Sequence, residues 1–241
     1  MTSLSPAEQL LQELGITEPN EIDVEVIAWS VGARVRYRPL PRGDARIVGM
    51  GDRAIITVDD RASRVRQRFS VAHELGHWHH HRGQRLICHD ASGNAPDDTC
   101  EREADRYAAE LLMPRFMLVP WMAKAPISIA LADGVARLFH VSTLAAALRL
   151  ADVHAGHFAL IVDEPDGRRW FKRSPALAGG WYLRLDVSTG EKGSKPASQP
   201  KQWSVPAQRH FRGRNLSGIW LRCETAHAAS GQRLTLITAP V

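Results

Sequence analysis

Cysteine is scarce: the chain has three in 241 residues, an odd count. That argues against a disulfide scaffold and for a reducing compartment. Long apolar runs are missing too, and none approaches the ~18 residues of a membrane-spanning helix. The opening stretch, Met1-Thr2-Ser3-Leu4-Ser5-Pro6-Ala7-Glu8, lacks the basic and then apolar regions of a secretion signal. The expectation is a cytoplasmic protein with no membrane partner. Hydrophobic content of 44% and charged content of 24% are ordinary for a packed chain. The length suits one large or two small domains.

Negative charge is what the last third lacks. Residues 155–241 hold 13 Lys/Arg against 6 Asp/Glu, a net of +7, whereas residues 1–154 hold 18 against 20. The tail also has its own texture. Short β-type runs at Phe158–Val162, Arg169–Lys172, Trp181–Leu185, Gly218–Arg222 and Leu234–Ile237 are separated by turn clusters such as Glu164-Pro165-Asp166-Gly167. The stretch 188–201 is too polar to pack and reads as a loop. A boundary is expected near Val153-His154-Ala155-Gly156, dividing a largely helical domain with a small sheet (1–152) from a basic, β-rich accessory domain (153–241). The expected fold class is α+β.

Chemistry concentrates in His73-Glu74-Leu75-Gly76-His77. At 3.6 residues per turn, side chains four apart share a helix face, so His73 and His77 can hold one metal ion. Glu74, about 100° round the helix, reaches a metal-activated water without entering the coordination sphere. That is the zinc-hydrolase pattern, with Glu74 as general base. Catalytic zinc needs a third protein ligand and an open fourth position. The segment from Thr99 to Pro114 reads as a helix stopped by proline. On it, Glu101, Ala104, Asp105, Ala108, Leu111 and Leu112 share one side, with Glu103 and Glu110 opposite. Carboxylates on an apolar face need partners. Glu101 is therefore the expected third ligand, and Glu103 a solvated charge. Asp105, one turn on, is placed to accept the free ring N–H of a ligand histidine; an ion pair with Arg102 or Arg106 is the other reading.

Phe69-Ser70-Val71-Ala72-His73-Glu74-Leu75-Gly76-His77-Trp78, followed by Glu101, Ala104-Asp105, Ala108 and Leu111-Leu112-Met113-Pro114, resembles the ImmA/IrrE metallopeptidase family. The resemblance is strong over roughly residues 65–115, weaker over 20–65 and 115–152, and absent beyond. It implies a gluzincin-like, zinc-dependent (Zn2+) endopeptidase that cleaves a helix-turn-helix transcriptional repressor in a stress-response or mobile-element switch. The family usually has asparagine where this chain has Asp105, which keeps an acceptor but adds a charge.

Other features leave alternatives open. Residues 125–152 contain a helix-turn-helix-like stretch. In it Ser142 caps the second helix, and Leu144, Ala145 and Leu148 are expected to face the core. With Arg149 as its one basic residue, that helix suits packing better than reading DNA. The strand Ala54–Val58 reads as an edge that pairs with extended substrate, as a buried strand, or as both, with one face buried and one edge open. Gly76 would allow close approach of a neighbouring element. His79, His80, His81 and His89 lie near enough in sequence to stabilise an oxyanion, but no spacing singles one out. Cys88 or Cys100 could supply a thiolate that silences the metal; two ordinary reduced cysteines is the plainer reading. Cys223 reads as core. From a different class, the tail's aromatics among Arg and Lys would make a nucleic-acid surface, with the zinc then structural and the chain a DNA-binding or sensor regulator.

Overall fold

Ser5 and Pro6 start the first helix: the Ser5 hydroxyl accepts from Glu8 N–H, the Glu8 carboxylate accepts from Ser5 N–H, and Pro6 pre-sets the first turn. The computed structural model describes residues 3–81, 86–87, 98–122, 125–177, 179–186 and 200–240. By its internal contacts the chain forms two units, Met1–Leu118 with Leu138–Val141, and Val119–Arg137 with Ser142–Val241.

The first unit runs α1 (Pro6–Glu13), a 3-10 turn (Pro19–Glu21), α2 (Val24–Ser30), β1 (Ala33–Tyr37), β2 (Ala45–Met50), β3 (Arg53–Val58), α3 (Arg64–His81), β4 (Leu86–Ile87), α4 (Asp98–Leu112) and the start of α5 (Arg115–Met122). Asp23 caps α2 by accepting from the Glu25 and Val26 amides. The strands form a four-stranded sheet in the order β1-β3-β2-β4, with β1 parallel and β2 antiparallel to β3. Strand β3 is therefore interior, hydrogen-bonded on both sides. The expectation that Ala54–Val58 offers a free edge to substrate is corrected, because β2, which the sequence pattern did not single out, occupies that edge. Ala54, Ile56 and Val58 are buried, and a fully buried Ile or Val contributes about 1.5–3 kcal/mol.

Helix α3 packs against the sheet and against α4. Trp78 is buried, and its indole N–H donates to the Val31 carbonyl at 2.9 Å. A side chain at Gly49 would meet the Trp78 ring at 2.5 Å, so β2 passes over the indole only because that position is bare. At Gly76, a Cβ would lie 2.8 Å from Ala104 Cα and 3.1 Å from the Ala104 carbonyl oxygen. The two helices thus touch backbone to backbone beside the His73/His77 face. Carboxylates tie α1 to the far end of this layer: buried Glu8 also accepts from the Arg115 amide at 2.6 Å.

The second unit contains most of α6 (Ile129–Phe139), α7 (Thr143–Val153), β5 (Phe158–Asp163), β6 (Arg169–Arg173), β7 (Tyr182–Leu183), β8 (Lys201–Pro206), α8 (Ala207–His210), β9 (Phe211–Arg212), β10 (Trp220–His227) and β11 (Arg233–Thr238). Its main sheet is antiparallel, in the order β6-β5-β11-β10-β8; β7 and β9 pair separately. The α+β class holds: helices with a small sheet come first and a β-rich part follows. A split after residue 152 would place α7 with the first unit, but its contacts place it with the second, against β5. Ser142 does cap α7, accepting from the Ala145 amide. The buried face of that helix is Ala146, Ala147, Leu150 and Ala151 with Arg149, rather than Leu144, Ala145 and Leu148. Arg149, the one basic side chain of that helix, is buried. Cys223 is fully buried in the core of this sheet. The loop expected over 188–201 lies outside the described residues up to Gln199, and Lys201 opens β8.

Among the described residues no single helix is long and apolar enough to cross a membrane. The most apolar pair, α6 and α7, is bent by 108°.

Candidate metal centre

Two helices build the site. From α3, His73 and His77 stand one turn apart with their rings edge to face, centroids 4.8 Å apart. From the first turn of α4, Glu101 reaches across the Gly76–Ala104 contact. His73 Nε2 lies 3.1 Å from His77 Nε2 and 3.3 Å from Glu101 Oε2, and His77 Nε2 lies 3.4 Å from Glu101 Oε1. Among the described residues these three form the one group of His, Cys, Asp or Glu side chains able to hold a metal ion. Tetrahedral zinc with bonds of ~2.0–2.1 Å has donor-to-donor edges of about 3.3–3.4 Å. The shortest separations between the three residues are of that order, with His73 and His77 each meeting a different oxygen of Glu101, so the donor set suits the ion in kind and can converge on it.

The outward ring nitrogens are also held. His73 Nδ1 lies 2.9 Å from Asp105 Oδ1. A carboxylate only accepts, so the His73 ring donates from Nδ1 and turns its Nε2 lone pair inward. Burial opposes charge on His73, but the hydrogen bond and negative charge of Asp105 prevail and raise its pKa above the usual imidazole value. On the other ring, His77 Nδ1 lies 3.6 Å from Cys100 Sγ. Asp105 thus partners His73.

Glu74 follows His73 directly and is only 6% exposed. Its Oε2 is buried with no hydrogen-bond partner. Burial, assisted by the nearby Glu101 charge and opposed by His73, pushes the carboxyl up to about 7. A buried carboxylate oxygen without a partner is costly unless something polar comes to it.

Other expectations fare unevenly. Glu103 is exposed and lies 3.9 Å from His80. Glu110, placed on the solvent side by the helical wheel, is buried instead, and Arg106 one turn back donates to it at 3.0 Å. His79 stacks on Tyr107 with centroids 5.3 Å apart, and His80 lies against His79. Neither belongs to the metal cluster. His89 and Cys88 fall outside the described residues, as does the His81 side chain. The Cys100–His77 contact escaped the sequence reading. Its only signal was the adjacency of Cys100 to Glu101, which does not reveal how the helices cross.

The sequence model of the IrrE N-terminal-like peptidase family matches residues 28–151. The chain belongs to that family. The match takes in the whole site as well as α6 and most of α7. The uncharacterized protein YqaB of Bacillus subtilis (strain 168) is 32% identical over 78 residues, covering 32% of this chain and 44% of that protein; the chain thus spans less than half of that curated relative. Among solved structures, a Mycobacterium tuberculosis transcriptional regulator matches with a TM-score of 0.64 and 14% identity, over 97% of this chain and 86% of its own. At that identity the likeness is one of fold alone.

Proposed function

We propose that the protein is a zinc-dependent endopeptidase whose substrate is another protein, a helix-turn-helix transcriptional repressor. The observation that carries this reading is the convergence of three ligand side chains: His73 Nε2 and His77 Nε2 lie 3.1 Å apart, and each lies within 3.4 Å of one oxygen of Glu101, beside an unpartnered, buried Glu74 oxygen. Three ligands leave a fourth position open, as catalytic zinc requires; structural zinc sites are closed by four. That difference favours an enzyme over a regulator with structural zinc.

His73, His77 and Glu101 would hold the ion, with Asp105 fixing the His73 ring. Bound zinc supplies a Lewis acid and brings water within reach of ionisation near pH 7. Glu74 Oε2 accepts the proton of the attacking water and passes it to the leaving amide nitrogen, so that neither charge is stranded in the buried site. That oxygen has no hydrogen bond to surrender before it does this. Membership of a peptidase family supports hydrolysis of a peptide bond. The repressor as substrate rests on the family resemblance, and the fold shared with a protein titled a transcriptional regulator is compatible with that setting.

Co-expression with the repressor encoded nearest its gene tests the reading. The wild type should yield a repressor fragment. Glu74→Gln should keep its metal and fold yet yield none, because an amide cannot accept the proton. Equal cleavage by Glu74→Gln removes Glu74 from the chemistry; loss of metal in that variant makes it a ligand instead.

A further inference from the structure

We propose that Cys100 is a positioning residue of the metal centre, the hydrogen-bond acceptor that fixes the tautomer of His77. This rests on the reading of His77 as a metal ligand. That site is argued independently by the three converging ligand side chains and by the partnerless Glu74 Oε2.

An imidazole ligates only through a nitrogen that bears no proton, and the proton then sits on the other nitrogen. His77 Nε2 faces His73 and Glu101, so its proton belongs on Nδ1, 3.6 Å from Cys100 Sγ. The reverse arrangement, with the thiol S–H donating to Nδ1, would put the proton on Nε2 and disable the ligand. Sulfur must therefore accept when the ring is competent to bind metal. His77 is 3% exposed, so bulk water is a poor substitute acceptor. Asp105 performs the same task for His73 at 2.9 Å, and each ligand histidine thus has its outward nitrogen held by a side chain of α4. Cys100 directly precedes Glu101, so docking the first turn of α4 delivers a ligand and an acceptor together. The thiol is not a member of the three-ligand cluster. This separates the role from that of a thiolate displacing water at the ion.

The full-length protein carries the test. Zn2+ and Co2+ affinities are measured by chelator competition for wild type, Cys100→Ala, Cys100→Ser and His77→Ala, alongside melting of each metal-free protein and the visible spectrum of each Co2+ form. Partners of metal-bound histidines change affinity by about 10–100-fold. Cys100→Ala should bind at least about tenfold more weakly and shift the Co2+ bands, while the metal-free protein melts as wild type does. Cys100→Ser, which restores an acceptor, should recover most of the loss. If Cys100→Ala binds as wild type does while His77→Ala loses metal, the positioning role is refuted and the metal centre stands. If Ala and Ser variants lose metal equally and both melt low without it, Cys100 is only packing, which also refutes the role. A wild-type protein that takes up neither ion removes both proposals.

Discussion

Adding one methyl group at Gly76 should loosen the metal without touching a ligand. The Cβ of Gly76→Ala would stand 2.8 Å from Ala104 Cα, whereas carbon atoms rest at about 3.5–4.0 Å. Helix α4 must therefore retreat by roughly 0.7–1.2 Å at that point. The obstructing atoms are the Ala104 Cα and carbonyl oxygen, so no side-chain rotation relieves the clash, and trimming Ala104 to glycine would not rescue it. Glu101 lies three residues earlier on the same rigid helix, about 4.5 Å along its axis, and moves with it. Metal sites tolerate distance errors of about 0.2 Å, so a shift of this size pulls the Glu101 carboxylate off its position. Alanine gains about 1 kcal/mol of helix propensity over glycine, and overpacking costs about 1–3 kcal/mol. The metal-free variant should then be destabilised by about 0–2 kcal/mol, a few degrees in a chain of this size. Zinc affinity should fall by at least about tenfold. Thermal melts with and without metal, together with chelator competition, measure both quantities. A Gly76→Ala protein that melts higher than wild type and binds zinc equally well would show that the close approach does not set the ligand geometry.

Two further expectations concern the second unit. Burial, helped by the positive charge of Arg209 and Arg169, holds His210 down to about 4, below its ordinary 6.5, so the folded chain keeps it neutral while the unfolded chain protonates it. The stability it contributes is present above pH 6.5 and lost as pH falls toward 4; denaturant melts across that range should show a smaller loss for His210→Gln, and identical slopes would refute the assignment. Several of the tail's 13 Lys/Arg side chains are held in ion pairs rather than free to meet phosphates: Asp163 accepts from Arg169 and Arg233, Asp166 pairs with Arg168, Asp186 with Arg184, and Asp152, just before the tail, with Lys172. Mobility shifts with duplex DNA at rising salt should show only weak binding at physiological ionic strength; tight binding with a steep salt slope would revive the nucleic-acid reading.

Much of the site was legible because it is local. The i, i+4 spacing of His73 and His77 and the proline stop after α4 act within one helix each, so pattern alone places His73, Glu74, His77 and Glu101 on the elements that carry them. Relations between elements were not legible. Nothing in Ala54–Val58 states that β2 pairs along one side of it, since strand order is decided by tertiary packing. Helix α4 packs against α1 as well as α3, so a wheel that assumes one buried face misplaces Glu110, which is buried. Strand β8 hides in Lys201-Gln202-Trp203-Ser204-Val205-Pro206, where only every second residue, Trp203 and Val205, is apolar and partly or fully buried. Gly76 signalled a close approach in the sequence, but its partner Ala104, and the role of Gly49, became visible only with the atoms opposite each.

The central claim is that His73, His77 and Glu101 together hold one zinc ion. Zinc content of the purified full-length protein, measured by elemental analysis beside His73→Ala, His77→Ala, Glu101→Ala and Glu103→Ala, tests it most directly. The account predicts about one zinc per chain in wild type and Glu103→Ala, as the three-ligand site requires, and loss of metal in the other three. Retention by Glu101→Ala with loss in Glu103→Ala would contradict it.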